Sequence, residues 1–363
     1  MSIECEQGLE VTPEFLKIKT ELSVWAKIQK FPLFATFELT PLCNLRCPMC
    51  YVRLDKSCMA LQGKSMSAEE WLEIARQARD MGLLFVTLTG GEPFLRPDFW
   101  EIYNGMTELG LLVAVYSNGT LIDEAVIERL KANPPHNIKI SLYGASDETY
   151  ETMCGIKNGF TRVSHAVDLL NESGLPFFCT CTAVRENVHD IPALYRFAAE
   201  KGIKFFHSGA IALSARGALS DPLSSRTRVS EDAWTLESLE KAKVKVDPHP
   251  FIRCGGVNTS FFMTWHGHMS FCGFTPKPYV QMSFPLDFTA AWEKMLGQIE
   301  AIKTPAECAS CEYAEFCRRC PGLLASESGD PEKISESFCT QAAEKYRIYQ
   351  ELKKKAAETA ETQ

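Results

Sequence analysis

The sequence predicts a parallel α/β domain folded as a partial barrel of six β/α units, followed by a small, irregular cysteine-rich domain. Three observations predict it. Strand-like apolar runs alternate with helical periodicity six times between residues 33 and 213, which is how a parallel sheet with crossover helices is written. Polar motifs follow strand after strand at their C-terminal ends, as at a barrel mouth, whereas a doubly wound sheet gathers its ligand at one switch point. Cysteines fall into two groups, one after the first strand and one in the last third.

In chain order, residues 14–30 set Phe15, Ile18, Leu22, Trp25 and Ile28 at helical spacing, predicting a helix packed on the body. LFATFEL (33–39) is the first strand and runs into a cysteine loop. Ser67 and Glu70 form a capping box for a helix that Gly82 ends, before the apolar strand 83–89. A helix over 97–109 precedes strand 111–117, and one from Asp123 to Lys131 precedes strand 137–143. Helical sequence from Phe160 to Ser173 leads to strand 176–184, and IPALYRFAAEKG leads to strand 203–213. Residues 213–230, rich in Ser, Arg, Gly and Pro, read as a linker or lid, or as a plain surface connection. A helix near 230–243 and short strands around NTSFFMTWHGHMSFCGF follow. The predicted domains are an N-terminal helical extension (1–32), the barrel (33–230), the cysteine-rich domain (231–341) and a C-terminal helix and tail (342–363).

The 363 residues exceed what one ordinary core organises, and 45 % hydrophobic with 23 % charged residues is a globular composition. No apolar run approaches the roughly 20 residues that span a bilayer. The first residues, MSIECEQGLE, are not a signal peptide, so a cytoplasmic protein without a membrane partner is expected. The net charge is −8 and the basic residues are scattered, which argues against nucleic acid. Fifteen cysteines in a reducing compartment call for metal, since disulfides would be reduced there.

Cys43, Cys47 and Cys50 read C-x₃-C-x₂-C. Three thiolates on a cube of four irons leave one iron open, and an open iron binds and reduces a ligand where a fully ligated cluster only carries electrons. Gly90, Gly91, Glu92 and Pro93 follow the second strand, Ser117-Asn118-Gly119 the third, and Ser141 ends the fourth. Glycines there let the backbone approach a ligand.

Together these motifs, in this order on these elements, resemble the radical S-adenosylmethionine (radical SAM) superfamily over residues 33–213, with its partial, TIM-like barrel. The resemblance implies that Cys43, Cys47 and Cys50 hold a [4Fe–4S] cluster whose open iron chelates the amine and carboxylate of S-adenosylmethionine. One electron cleaves the sulfonium to methionine and a 5′-deoxyadenosyl radical, which takes a hydrogen atom from a substrate. It also implies a low-potential donor such as flavodoxin or ferredoxin. Backbone at Gly90 and Gly91 with Glu92 would meet the methionine ammonium, and Asn118 and Ser141 the ribose. Met49 stands where the family usually has an aromatic residue against adenine, with Tyr51 as a substitute. Arg162 or Arg185 would meet the carboxylate.

The downstream cysteines resemble the SPASM type of auxiliary-cluster extension. Cys254, Gly267 and Cys272 match its opening, and Cys308, Cys311, Cys317, Cys320 and Cys339 its second half, with x₂ rather than x₃ between Cys317 and Cys320. The resemblance implies two auxiliary iron–sulfur clusters, of [4Fe–4S] type. Cys308, Cys311, Cys317 and Cys339 would hold the outer one, Cys254, Cys272 and Cys320 the inner. The inner cluster then lacks a fourth thiolate, leaving an iron open or bound by His266 or His268. A zinc ribbon is the alternative reading, though it would leave three thiols over.

Of the remaining cysteines (Cys5, Cys58, Cys154, Cys179, Cys181), Cys179 and Cys181 share a strand face, as hydrogen donors if it is the barrel interior and as core residues otherwise. The resemblance implies a peptide or protein substrate undergoing thioether or carbon–carbon crosslinking, epimerisation or oxidation. About 30 residues precede the first strand, too few for a leader-binding domain, so a separate leader-binding protein or a leaderless substrate is expected. A sulfatase maturase is a further reading, weakened by Gly273 where that branch has an aspartate. A small-molecule or haem-precursor enzyme stays open, as does, from another class, an iron–sulfur electron carrier.

Overall fold

The computed structural model describes residues 12–209, 211–213, 220–226, 235–244, 250–251, 254–275, 277–317 and 319–361. Cys5, most of the 213–230 segment and the first residues of the helix expected from 230 lie outside them.

Strands β1 (Phe34–Glu38), β2 (Phe85–Thr89), β3 (Leu112–Ser117), β4 (Asn137–Ser141), β5 (Phe177–Thr182) and β6 (Phe205–Ser208) pair in sequence order and in parallel. Beyond β1 lies β7 (Ser260–Met263), also parallel, and then β8 (His268–Ser270) and β9 (Val280–Gln281), both antiparallel. The result is one open nine-stranded sheet, ordered β6-β5-β4-β3-β2-β1-β7-β8-β9. The C-terminal hairpin, expected in a domain of its own, thus extends the barrel sheet through β1.

Helices cover one face. Trp71 of α3 (Ala68–Asp80), Ile102 of α4 (Phe99–Glu108), Leu130 of α5 (Glu124–Ala132), Val167 of α7 (Gly159–Ser173) and Leu194 of α8 (Ile191–Lys201) join one core with Phe37, Leu88, Val115 and Ile140. Alternate strand residues point the other way, and on that face Thr36, Thr87, Tyr116, Lys139, Ser141 and Thr180 are polar and half-buried. A doubly wound sheet would pack helices on both faces and read apolar on both. An open sheet with one helical face and one polar face is a partial barrel with its interior exposed.

Helix α1 (Pro13–Gln29), capped by Thr12, closes the bottom of this interior. Phe15, Leu22 and Ala26 pack on Leu33, Phe34, Phe85 and Leu112 at the N-terminal strand ends, and the Lys19 ammonium lies 4.5 Å from the Phe85 ring centre. Of the residues expected to pack, Ile18, Trp25 and Ile28 are instead 55 %, 56 % and 68 % exposed. The barrel bottom is narrow and takes only the stripe 15, 19, 22, 26, each step one turn from the last.

Unforeseen helices are α2 (Lys56–Gln62), α6 (Asp147–Cys154), α10 (Phe288–Glu300) and α11 (Pro321–Ser328). Helix α10 buries Phe288, Trp292, Met295 and Ile299 in the main core. The C-terminal helix α12 (Glu336–Glu361) meets α9 (Leu236–Ala242) through a small separate cluster of Leu239, Phe316 and Tyr349. Among the described residues, no helix is long and apolar enough to cross a membrane.

Candidate active site

The loop after β1 carries Cys43, Cys47 and Cys50, and the GGEP turn after β2 lies directly against it. Gly91 N–H donates to Thr40 O at 2.7 Å and Glu92 N–H to Leu42 O at 2.9 Å. A Cβ at Gly90 would stand 2.4 Å from Thr40 O, and one at Gly91 2.3 Å from Leu42 O. The glycines are required by this backbone-to-backbone approach, a nearer cause than the ligand approach expected from sequence.

Glu92 is fully buried, and its carboxylate accepts from Ser117 Oγ at 3.0 Å, Asn118 N at 2.8 Å and Phe94 N at 3.1 Å. Burial pushes its pKa up to about 7 against these hydrogen bonds. The side chain ties the end of β2 to the end of β3. From there Asn118 Nδ2 donates to Asn44 Oδ1 at 2.9 Å and reaches Cys43 Sγ at 3.7 Å, while its Oδ1 accepts from Thr120 N at 2.9 Å and Thr120 Oγ1 at 2.6 Å. Asn44 Nδ2 closes the network on Thr120 Oγ1 at 2.8 Å. Asn118 thus pins the cysteine loop, and Asn44 and Thr120, absent from the sequence reading, are its partners. Both are short-range polar residues that look like ordinary loop composition until the fold juxtaposes them.

The sulfurs are themselves held. Leu45 N–H donates to Cys43 Sγ at 3.4 Å and Arg53 N–H to Cys50 Sγ at 3.3 Å. Burial pushes the Cys43 thiol up to about 12, with Glu92, Cys47 and Cys50 adding to the rise. Burial also raises Cys50, with Cys47 and Glu38 contributing. Cys47 is raised most by a hydrogen bond with Cys154 and by burial. Cys154, unassigned from sequence, ends α6, whose backbone accepts from Arg46 N at 2.7 Å.

The interior face adds Lys139, its Nζ 3.7 Å from the Tyr116 ring centre, and buried Glu38. Ser141 hydrogen-bonds Tyr143, whose hydroxyl is buried near Cys47, Cys154 and Cys50 and is raised well above the ordinary phenol range, chiefly by burial. Met49 is buried in the core beside the loop. Arg162 and Arg185 are exposed, and Arg185 pairs with Glu186. Cys179 and Cys181 point to the helices and sit in the core, where Asn187 Nδ2 reaches Cys181 Sγ at 3.4 Å. The core reading holds for both.

Described residues of the expected lid also touch the site. Ser220 Oγ donates to Cys50 O, and Arg185 N donates to buried Ser225 O at 3.0 Å. Arg226 pairs with Glu327 of α11. This stretch is a strap from the cysteine loop to the C-terminal region.

That region separates its seven thiols into two sets. Cys272 is pushed up to about 11 by burial, with Cys320 and Cys254 adding to it. Cys317 is pushed up to about 11 by burial, with Cys308, Cys339 and Cys311 adding to it. The Tyr51 ring, next to Cys50, meets Phe274, near Cys272, at 5.3 Å between centres, so the first loop and the inner set touch through two aromatic rings. His266 and His268 stack instead with Trp265 and Tyr279 at the hairpin tip.

Among the described residues, no three His, Cys, Asp or Glu side chains meet at a point that would hold one metal ion. Thiolates of an iron–sulfur cluster bind separate irons, and three neighbouring thiols on one loop, Cys47 buried and Cys43 and Cys50 half-buried, the latter two held by backbone amides, fit that donor set.

Residues 37–198 match the model of the Radical SAM superfamily. The chain is 25 % identical to an AdoMet-dependent heme synthase of Methanosarcina barkeri over 82 % of its length and 94 % of that protein. It is 30 % identical to a PqqA peptide cyclase of Granulibacter bethesdensis over 47 % of its length, spanning under half (45 %) of the cyclase. Among solved structures it resembles Streptococcus suis SuiB bound to its precursor peptide SuiA, with a TM-score of 0.66, 19 % identity, and 90 % and 80 % of the two chains covered. With its three-thiol loop, GGEP turn and one-faced parallel sheet, the matched part of the chain is a radical SAM domain.

Proposed function

We propose that this enzyme abstracts a hydrogen atom from a peptide or protein and so modifies it after translation. The observation that carries the reading is the three-thiol loop set at the C-terminal end of a parallel sheet whose polar face, among the described residues, is left uncovered by the helices that pack on the other. Cys43, Cys47 and Cys50 would hold the cluster, and Cys254, Cys272 and Cys320 with Cys308, Cys311, Cys317 and Cys339 two auxiliary ones. When bound, the cluster and S-adenosylmethionine supply a radical hydrogen abstractor, and the auxiliary clusters take up an electron. The chain's own part is positional. Glu92 locks the ends of β2 and β3, Asn118 and Asn44 hold the cysteine loop, and the GGEP backbone with Ser141 and Met49 borders the space for methionine, ribose and adenine. The 220–226 strap and the Tyr51–Phe274 pair limit access of water between the thiol sets. Flavodoxin or ferredoxin would deliver the electron, and a separate protein would present a leader.

A second reading, a haem-precursor substrate, is favoured by the alignment along 94 % of the heme synthase and by the Lys139 cation on the interior face, which suits a propionate. A sulfatase-maturase reading meets an obstacle. A Cβ at Gly273 would lie 2.7 Å from the Phe262 ring, so an aspartate there requires that ring to move.

Anaerobically reconstituted protein with S-adenosylmethionine and dithionite is expected to release 5′-deoxyadenosine, faster with a peptide encoded beside its gene than with iron coproporphyrin. Faster release with the porphyrin would select the second reading. No nucleoside from protein of verified iron content would leave an electron carrier.

A further inference from the structure

The inner set has three sulfurs, and one polar atom beside it has no use in the fold. Thr275 is 4 % exposed, and its Oγ1 has no hydrogen-bond partner among the described residues. Buried hydroxyls are nearly always paired, so an orphan calls for a partner. Its backbone is fixed, with Thr275 N–H donating to Cys272 O at 3.0 Å. The hydroxyl also lies beside the Cys272 sulfur. A Cβ at Gly322 would lie 3.3 Å from Cys272 Sγ and 3.4 Å from Thr275 Oγ1, so both atoms border the one small space that Gly322 leaves. The Gly322 and Leu323 amides donate to the Cys320 sulfur and the Phe274 amide to the Cys272 sulfur. The histidines are poorly placed by comparison. His268 lies four residues along the chain from Cys272, roughly 13 Å at strand rise, and stacks on Tyr279 at 3.8 Å.

We propose that Thr275 Oγ1 is the fourth protein donor of the inner pocket, binding the iron that Cys254, Cys272 and Cys320 leave without a thiolate. This rests on the reading of those three thiols as cluster ligands. An oxygen donor binds iron more weakly than a thiolate and keeps that corner exchangeable.

The test uses the full chain carrying alanine at Cys43, Cys47 and Cys50, so that only the auxiliary iron is observed by Mössbauer and electron paramagnetic resonance spectroscopy. The parent is expected to show one iron distinct from the thiolate-bound ones. Thr275→Val should lose it, giving a [3Fe–4S] signal on mild oxidation, Thr275→Ser should restore it, and Thr275→Cys should make that iron thiolate-like. Spectra and iron content of Thr275→Val identical to the parent would overturn the assignment. If Cys272→Ala leaves the iron content unchanged, the cluster reading itself fails, whatever Thr275 does.

Discussion

Around Cys43 the protein does its own holding. Glu92, Asn118, Asn44, Thr120 and the Gly90–Gly91 backbone fix the loop by hydrogen bonds, over a core that runs from α3 to α10. Around Cys308, Cys311 and Cys317 the described residues form short turns with half-exposed sulfurs, Cys339 lies exposed near the start of α12, and one small apolar cluster of Leu239, Phe316 and Tyr349 is found there. A region with so little buried apolar surface does not offset the entropy of ordering its chain. The first site is a preformed receptacle, while on the cluster reading the outer thiol set would need what it binds in order to stay folded.

The largest effect that tests this contrast is functional. Replacing Cys43, Cys47 or Cys50 by alanine should abolish 5′-deoxyadenosine release while circular dichroism and the unfolding midpoint move little, because the loop loses only the weak bonds to sulfur and keeps those made by Glu92, Asn118, Asn44 and the Gly91 backbone. Unfolding of the sheet in these variants would erase the distinction. Next, chelating the iron should strip hydrogen-exchange protection from residues 306–339 and leave that of β1–β5 in place. Uniform loss across both regions would show one cooperative unit.

Trp292 connects the regions, since α10 follows the hairpin yet its indole donates to Lys30 O at 2.8 Å and packs near Phe261 in the barrel core. Trp292→Ala should cost about 3–5 kcal/mol in urea unfolding, with most of the loss in the sheet. Gly91→Ala should cost about 1–3 kcal/mol by overpacking against Leu42 O, and cluster loading should fall with it. Unchanged stability would mean that the GGEP turn is loose.

The smallest effect is on pH dependence. Burial raises Glu92 to about 7 from an ordinary 4.5, so the native chain holds a proton that the unfolded chain gives up between those values. Its contribution is complete below about 4.5 and is lost as pH rises through about 7. Glu92→Gln should flatten that part of the stability profile of the iron-free chain, followed by urea midpoints across pH 4.5–8. An unaltered slope would place the titration elsewhere.

Much of this was legible because it is local. Strand and helix periodicity, the Ser67–Glu70 capping box and the spacing of Cys43, Cys47 and Cys50 depend on near neighbours, and all stand in the fold. The packing of α1 departs from its spacing at Ile18, Trp25 and Ile28 because helical spacing says which residues share a side but not how wide the surface opposite is. Helix α10 lies in a region whose pattern is dominated by cysteines, although Asp287 caps it and Phe288, Trp292, Met295 and Ile299 recur at its period.

The sequence by itself determined the parallel β/α alternation, the three-thiol loop at a strand end and the division of cysteines between two regions, since each is written in spacings of a few residues. Only the tertiary structure decided that β7 joins β1 in one sheet, that Cys179 and Cys181 face helices, that Glu92 and Asn118 act on the protein before any ligand, and that Thr275 stands beside Cys272. Those facts depend on which face a strand turns to the core and which distant loops are brought within a few ångströms, and a one-dimensional pattern does not carry either.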